Sequence, residues 1–406
     1  MRSVEDHLNK ILELVQPLPP YEQPLLEAIG LPICQDVTAS IDLPTFDNSA
    51  MDGYACRRDD LLDATEADPV RLPVVGESAA GQSKAYALSP GQAVKIMTGA
   101  PLPTGADVVV PIEWTDGGRA NVSITKLPTP GEHVRPAGED VKAGQQVIEE
   151  GTVLGPRQAA ILAATGHAQV RARPRPRIVV LSTGSELREP GTSLGFDSVY
   201  DANSFAIAAA ARQADAIAYR VGIVGDDPQE LTDTLSDQLV RADLVVTSGG
   251  VSKGDYDVVK DVLSRLGTVQ FTEVAMQPGK PQGFGTIGED DTPIFTLPGN
   301  PVSSYVSFEV FVLPAMRRMM GRLPYRRPLV RAELTDDISS PRDRRQFARG
   351  VFEVTTRGAR VAPVGGHGSH LVGSLAQSNA LIVVPEATTS IDAGTTVDVL
   401  VLDRSF

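Results

Sequence analysis

The chain has 406 residues, of which 42% are hydrophobic and 22% charged, and its 31 prolines mark a turn-rich globular protein of several domains rather than a disordered one. A net charge of −14 excludes general attraction to a nucleic-acid backbone, so any anionic ligand has to be met by local positive sites. Cys34 and Cys56 form neither a CxxC pair nor a disulfide framework, the N-terminus has no long apolar core, and no long window lacks both charges and prolines; this predicts a cytoplasmic protein that spans no membrane.

In chain order, Ser3 precedes an amphipathic run with Val4, Leu8, Ile11, Leu12 and Val15 on one helical face, ended by the prolines at 17–20. A second short helix is expected over 23–29, stopping at Gly30, followed by an extended connection over 36–42. The loop Phe46-Asp-Asn-Ser-Ala-Met-Asp-Gly-Tyr-Ala55 carries Asp47 and Asp52 close enough to address one ligand, although its small residues also suit an ordinary turn. Short β-type runs at 71–75, 93–97, 107–112 and 121–126 predict a β-rich lobe, interrupted by the polar turns Met97-Thr-Gly-Ala-Pro-Leu-Pro103 and Gly138-Glu-Asp140. Short strands follow over 144–154, then an alanine-rich helix over 156–165 ended by Gly166. The Arg/Pro segment 171–177 reads as a linker and a domain boundary.

From Ile178 the pattern alternates between strand and helix: strands at 178–181, 218–224, 244–247, 269–271 and 293–297, and helices at 204–213 (started by Asn203), up to Arg241, at 258–266, and from 301 through Met320. This predicts a doubly wound α/β domain with a mainly parallel sheet, in which ligands bind beyond the carboxyl ends of the strands. Three strand ends carry acids: Glu186, the pair Asp226 and Asp227, and the pair Asp255 and Asp257. Asp227 stands directly before Pro228 and reads as a helix N-cap, which leaves Asp226 as the ligand candidate. The third strand ends in Ser248-Gly249-Gly250, where glycines let backbone N–H groups approach an anion. A crest of carboxylates accepts an anionic substrate only with a hard cation between them, which predicts magnesium. Lys280 adds a point charge for an oxyanion. The histidines are scattered; His367 and His370 lie in a glycine-rich stretch without metalloprotease spacing, and no nucleophile elbow or Walker-type loop is present. A second Arg/Pro linker at 322–328 precedes a small β-domain with strand-like runs at 330–334, 349–355, 381–384 and 397–402.

Taken together, the loop at 46–55, the turns at 97–103 and 138–140, Thr247-Ser-Gly-Gly-Val-Ser252 with Gly254-Asp-Tyr-Asp257, and Leu297-Pro-Gly-Asn-Pro-Val-Ser303 resemble the molybdopterin molybdenumtransferase family, which includes MoeA and the gephyrin E-domain. The resemblance covers nearly the whole chain. It implies an enzyme of molybdenum cofactor synthesis that takes adenylylated molybdopterin and molybdate, inserts molybdenum at the dithiolene, and releases AMP in a magnesium-dependent step. By that resemblance Glu186, Asp226 and Asp257 serve the metal–pyrophosphate end, while Lys280, Arg349 and Ser369 hold molybdate. Asp52, Thr98 and Asp140 come from the N-terminal half. Pro298 and Pro301 shape the pterin side, with Ser248, Gly249, Gly250, Ser252, Asn300 and Ser303 completing the substrate loops. The resemblance further implies an elongated homodimer whose site is shared between subunits, with the adenylyltransferase and molybdoenzyme apoproteins as candidate partners. Its domains would be 1–44 with 141–173 (discontinuous), 45–140, 174–323 and 324–406, the last a small barrel-like β-domain. Members often carry lysine where Gln277 stands. Two other readings stay open: a molybdopterin adenylyltransferase, and a non-catalytic molybdopterin-binding scaffold.

Overall fold

A computed structural model describes residues 1–81, 86–249, 258–404 and 406. The chain divides into two compact units, one of Met1–Tyr21, Gly30–Cys34 and Arg171–Phe406, the other of Glu22–Ile29 and Gln35–Val170. Helix α1 (Val4–Leu14) opens the first unit; the Ser3 hydroxyl accepts the Asp6 N–H at its N-terminus, and Val4, Leu8 and Ile11 are buried as the periodicity predicts. The second helix expected over 23–29 does not form. Tyr21–Pro24 is extended and the following residues turn, because the run is too short to repay helix nucleation and Pro24 supplies no N–H.

The second unit holds a five-stranded sheet of β1 (Gly53–Cys56), β2 (Val70–Ser78), β3 (Ala93–Ile96), β4 (Val108–Pro111) and β5 (Asn121–Ile124), in the order β4-β1-β3-β2-β5. Tyr54, Cys56, Val108, Val110, Val122 and Ile124 form its core. Helix α2 (Pro156–Ala164) follows with proline in its first turn. Gly53 starts β1 where no side chain fits: an added Cβ would lie 2.0 Å from the Val110 carbonyl oxygen. Gly53→Ala is therefore expected to destabilise this unit by about 1–3 kcal/mol. Trp114, the chain's single tryptophan, packs against the same core and reports the unfolding by fluorescence; an unchanged midpoint would contradict the close approach.

The first unit contains the predicted doubly wound domain. Its strands are β6 (Arg177–Thr183), β7 (Ile217–Val224), β8 (Leu244–Ser248), β9 (Gln270–Glu273), β10 (Pro281–Ile287) and β11 (Thr292–Leu297), and its helices are α3 (Asn203–Gln213), α4 (Pro228–Leu239), α5 (Val258–Leu266), α6 (Pro301–Ser307) and α7 (Leu313–Met319). The sheet order is β7-β6-β8-β11-β10-β9; the first four strands are parallel, and β10 runs antiparallel to both of its neighbours. Both faces are buried, which explains the unbroken apolar runs. Ile178, Val180, Leu244 and Val246 share a core with α1, α3, α6 and α7, while Val179, Leu181 and Val245 share one with α4 and α5. The last helix is not uniform: a π-helical segment, Phe308–Val312, separates α6 from α7, since Pro314 has no N–H to return to the Val310 carbonyl.

Beyond it, β12 (Leu329–Leu334), β13 (Arg345–Thr355), β14 (Gly358–Pro363), β15 (Ala380–Val384) and β16 (Thr396–Val401) pair in the order β13-β14-β12-β16-β15, and β15 pairs back with β13. The result is a closed five-stranded barrel around Leu334, Phe352, Val361, Ile382 and Val399. Closure removes the edges that so short a sheet would otherwise expose.

Candidate active site

The chain reverses direction across the sheet at β6, which lies between β7 and β8, and this is where an open α/β sheet forms its crevice. Ser182 near the end of β6 stands opposite Ser248 at the end of β8. Gly249 follows with φ +103°, its N–H donating to the Leu297 carbonyl at 3.1 Å. An added Cβ there would lie 2.6 Å from the Thr183 carbonyl oxygen, so glycine is demanded by both dihedral and space. The Asn203 amide donates to Ser248 Oγ and to the Gly299 carbonyl, both at 2.7 Å, and so ties the end of β8 to the loop after β11.

That role corrects the expectation that Asn203 caps α3. The cap bond comes from buried Asp201, whose carboxylate accepts the Ser204 N–H at 3.1 Å as well as the hydroxyls of Ser182 and Ser204. Asp227 caps α4 as predicted, accepting from the N–H groups of Gln229 and Glu230. Asp226 turns instead toward the first strand end: its Oδ2 accepts the Ser185 N–H at 3.0 Å and the Ser185 hydroxyl at 2.6 Å, beside exposed Glu186. The Glu186 carboxylate folds over Gly184, so near that a Cβ there would meet it at 2.5 Å. Gly250, Ser252 and Asp257, with Gly254 and Asp255, lie outside the described residues.

After β11, Pro298 is buried, Asn300 takes the N-cap position of α6, Pro301 fills its first turn and Ser303 is buried inside it. The Asn300 side chain makes no capping hydrogen bond and is exposed. The Val302 N–H donates to the Ser369 carbonyl at 3.0 Å, which brings the barrel loop carrying Ser369 to the start of α6.

Arg349 lies on β13, only 5% exposed, with its fork donating to the carbonyls of Gly366 and Gly368 in that same loop. Burial alone holds its pKa below the ordinary arginine value. Its Nε–H is buried without a hydrogen-bond partner, as is the Oε1 of Gln346, 4% exposed on the same strand. Both residues line a cavity of about 140 Å³ together with Gln277, Val302, Asp337, Ser339 and His367. Two unpaired buried polar groups at one cavity mark a place built for a polar occupant. Lys280 is not part of this lining; its ammonium pairs with Glu273 at 3.0 Å. Gln277 is part of it, and its carbonyl oxygen accepts from Arg344 at 3.2 Å.

The second unit assembles the N-terminal motifs around one another. Asp52 Oδ1 accepts the Thr98 N–H at 2.7 Å and the Thr98 hydroxyl at 2.8 Å, and the backbone bond from Thr98 is the first cause of its lowered pKa. The loop at 46–52 is bonded to the 97–103 turn through Gly99 N–H to Ser49 O and Leu102 N–H to Asp47 O, and Asp47 also accepts the Ala137 N–H at 2.7 Å. Asp140, exposed, follows in the 133–140 turn with its N–H on the Leu43 carbonyl. Asp201 and Gln346 are not marked out in the sequence reading, which takes Asn203 only as a helix start and His367 only as one of several scattered histidines. The pattern Asp201-Ala-Asn203 before a helix was the available signal for Asp201 and for the second role of Asn203; nothing local marks Gln346 or His367.

A doubly wound domain with its crevice at the strand ends, joined to a closed five-stranded barrel and a β-rich unit inserted near the N-terminus, defines a molybdopterin-binding type of multidomain protein. Its N-terminal part, residues 2–166, matches the model of the MoeA N-terminal region (domains I and II); residues 179–318 match the "Probable molybdopterin binding domain", and residues 331–402 the MoeA C-terminal region (domain IV). The chain belongs to the MoeA family. It is 45% identical over 405 residues to a protein of Mycobacterium tuberculosis named molybdopterin molybdenumtransferase 2, covering 98% of this chain and 99% of that one. It is 38% identical to the molybdopterin molybdenumtransferase of a Nostoc species, covering 99% of this chain and 94% of that one. The crystal structure of a MoeA protein from Pyrococcus horikoshii superposes with a TM-score of 0.84 at 32% identity, over 99% of each chain.

Proposed function

We propose that the chain is a transferase of molybdenum cofactor biosynthesis that inserts molybdenum from molybdate into adenylylated molybdopterin and releases AMP. The observation that carries this reading is the cavity on Arg349, where the buried, unpartnered Nε–H lies beside a loop bonded to the start of α6. A buried guanidinium with no carboxylate among its hydrogen-bond partners suits an oxyanion. Ser248 and Gly249 at the end of β8, and Pro298, Asn300 and Ser303 after β11, belong to the strand ends that Asn203 ties together, where the pterin and its pyrophosphate would lie. Asn203 holds the two strand ends at fixed spacing, and Ser369 joins the oxyanion cavity to the α6 start.

Among the described residues no group of three His, Cys, Asp or Glu side chains is gathered as a metal cluster. Glu186 and Asp226, converging on the Ser185 turn, nevertheless fit magnesium, which takes one or two carboxylates and draws its other ligands from phosphates and water. Bound there, magnesium would neutralise the pyrophosphate whose P–O bond is broken when AMP leaves. The two carboxylates would hold that charge at the strand ends, with Asp257 proposed as a third.

The adenylyltransferase and scaffold readings are less well supported, since the full-length relatives carry the transferase name and the β-rich unit and barrel are both present. We further place the protein in the cytoplasm: no helix among the described residues is long and apolar enough to cross a membrane, and both cysteines are free thiols. The four-part division into 1–44 with 141–173, 45–140, 174–323 and 324–406 goes with this reading. So does a homodimer with shared sites, in which Asp52, Thr98 and Asp140 of one subunit act with the crevice of the other.

The test is molybdate-dependent AMP release from adenylylated molybdopterin in the presence of magnesium. Absence of release, or release that ignores molybdate, would refute the assignment. Mixing Asp52→Ala with Arg349→Ala protein under subunit exchange is expected to restore activity to about a quarter of all sites, because each mixed dimer holds one intact site. No rescue after exchange is demonstrated by mass labelling would rule out sharing.

A further inference from the structure

Two loop walls of the oxyanion cavity come from distant parts of the chain: Gln277 and Pro278 form one, and Gly365, Gly366 and His367 the other. A small oxyanion is gripped from both sides only if the distance between such walls is held. Helix α6 adjoins both, since its Val302 lines the same cavity.

The second wall is attached to the start of α6. The Val302 N–H donates to the Ser369 carbonyl at 3.0 Å, and Arg349 holds the same loop by the Gly366 and Gly368 carbonyls. The first wall is attached to the other end of the helix. Gln282, 2% exposed on β10, donates one amide proton to the Gly279 carbonyl at 2.6 Å and the other to Oγ of Ser307, the last residue of α6, at 2.7 Å. A carbonyl only accepts, so the orientation of the amide is fixed and both of its protons are engaged. Gly279 is pressed against the pair: its φ is +96°, and an added Cβ would lie 2.8 Å from Ser307 Oγ and 3.3 Å from Gln282 Nε2.

The same loop is joined to the barrel. Met276 and Gln277 pair with Arg345 and Gln346 at the start of β13, and the Arg345 N–H donates to the Ala275 carbonyl at 2.9 Å. Gln277 and Pro278 therefore lie between an attachment to the barrel and an attachment to α6. From Val302 to Ser307 the helix rises about 1.5 Å per residue, about 7.5 Å in all, and its backbone hydrogen bonds make that length far stiffer than a loop of equal span.

We infer that Gln282 and Ser307 are positioning residues for molybdate: through them α6 acts as a spacer that sets the Gln277–Pro278 wall of the cavity at a fixed distance from the Gly366–His367 wall. The inference rests on the proposed oxyanion role of the cavity. Neither residue is part of the lining, so each acts on the oxyanion through the loop that Gly279 anchors. Groups that bind a small ion have to be held to within about 0.5 Å, which a loop attached at one end does not achieve. The tie that Asn203 makes between Ser248 and Gly299 uses neither residue, so the pterin side is independent of this attachment.

Saturation curves for AMP release by the full chain, varying molybdate and adenylylated molybdopterin in turn, test this. Gln282→Met keeps the length and volume of the side chain and removes both donors. It should raise half-saturating molybdate about tenfold, because two buried acceptors lose their donor and the loop shifts to find others, and change half-saturating adenylylated molybdopterin by less than about twofold. Ser307→Ala keeps the bond to Gly279 and should give a smaller shift in the same direction; the double variant should fall short of the product of the two shifts, because they share one bond. Leu235→Ala, which empties core volume on the other face of the sheet, is the stability control and should lower the unfolding midpoint without moving the molybdate dependence. Equal effects on both substrates, or a molybdate shift no larger than that of Leu235→Ala, overturn the positioning role. Where Gln282→Met does not fold, Ser307→Ala decides, and an unmoved molybdate dependence in it overturns the role as well. AMP release by the wild-type chain that ignores molybdate overturns the oxyanion reading itself.

Discussion

Arg349→Ala is expected to raise the molybdate concentration needed for half-maximal AMP release by about ten- to a hundredfold, while pterin affinity changes little. The guanidinium is buried on β13 in the cavity wall with its Nε–H unpaired, so removing it is expected to forfeit a charge-assisted hydrogen bond of about 1.5–3 kcal/mol. Arg349→Lys is informative as a companion. It keeps the positive charge but cannot hold the Gly366 and Gly368 carbonyls with a fork while presenting a further donor, so it should recover only part of the loss. Saturation assays varying molybdate at fixed adenylylated molybdopterin separate the two dependences. If Arg349→Ala weakens pterin binding and leaves the molybdate dependence alone, the cavity has been given the wrong occupant.

Gly249→Ala should damage both stability and activity. The residue sits at φ +103°, where a Cβ would lie 2.6 Å from the Thr183 carbonyl oxygen and 2.9 Å from Thr183 Oγ1. Backbone strain of this kind costs about 1–3 kcal/mol, and relief of the clash must separate the end of β6 from the loop after β8. The displacement reaches Ser248, which Asn203 tethers to Gly299, so the strand ends part where the pyrophosphate is proposed to lie. The expected result is a lower unfolding midpoint together with a loss of pterin affinity larger than any change in molybdate dependence. Gly299→Ala is the control, because among the described residues nothing lies closer to its added Cβ than Gly249 Cα at 3.7 Å, and its φ is not in the left-handed region. Equal effects from the two substitutions would show that the geometry at Gly249 is not what matters.

Much of this architecture was readable from residue order because it depends on short-range physics. The apolar runs of β6 and β8, the Asp227-Pro228 cap and the apolar face of α1 are set by neighbours within a turn or a few strand positions. Glycine at 53 and 249 also marked special places, although the two carbonyl oxygens that demand it are contributed by other strands. The N-terminal motifs were recognisable as polar turns, and Asp52 does meet Thr98.

What the tertiary structure alone decided is which distant groups cancel or complete one another. Lys280 reads in the sequence as a point charge for an oxyanion, and only the fold shows that Glu273 on β9 pairs with it. Asn203 looks like a helix cap, but the pairing of β8 with β11 delivers Ser248 and Gly299 to its amide, and Asp201 caps in its place. Closure of the barrel depends on β13 meeting β15, a pairing that no local periodicity encodes. Gln346 and His367 are separated by a hairpin and most of a loop, and neither carries a pattern of its own. Their relation exists only because the barrel brings strand and loop together around one cavity. Charge balance and hydrogen-bond satisfaction are properties of a shared buried volume, and a linear sequence states which groups are available without stating which of them will face one another.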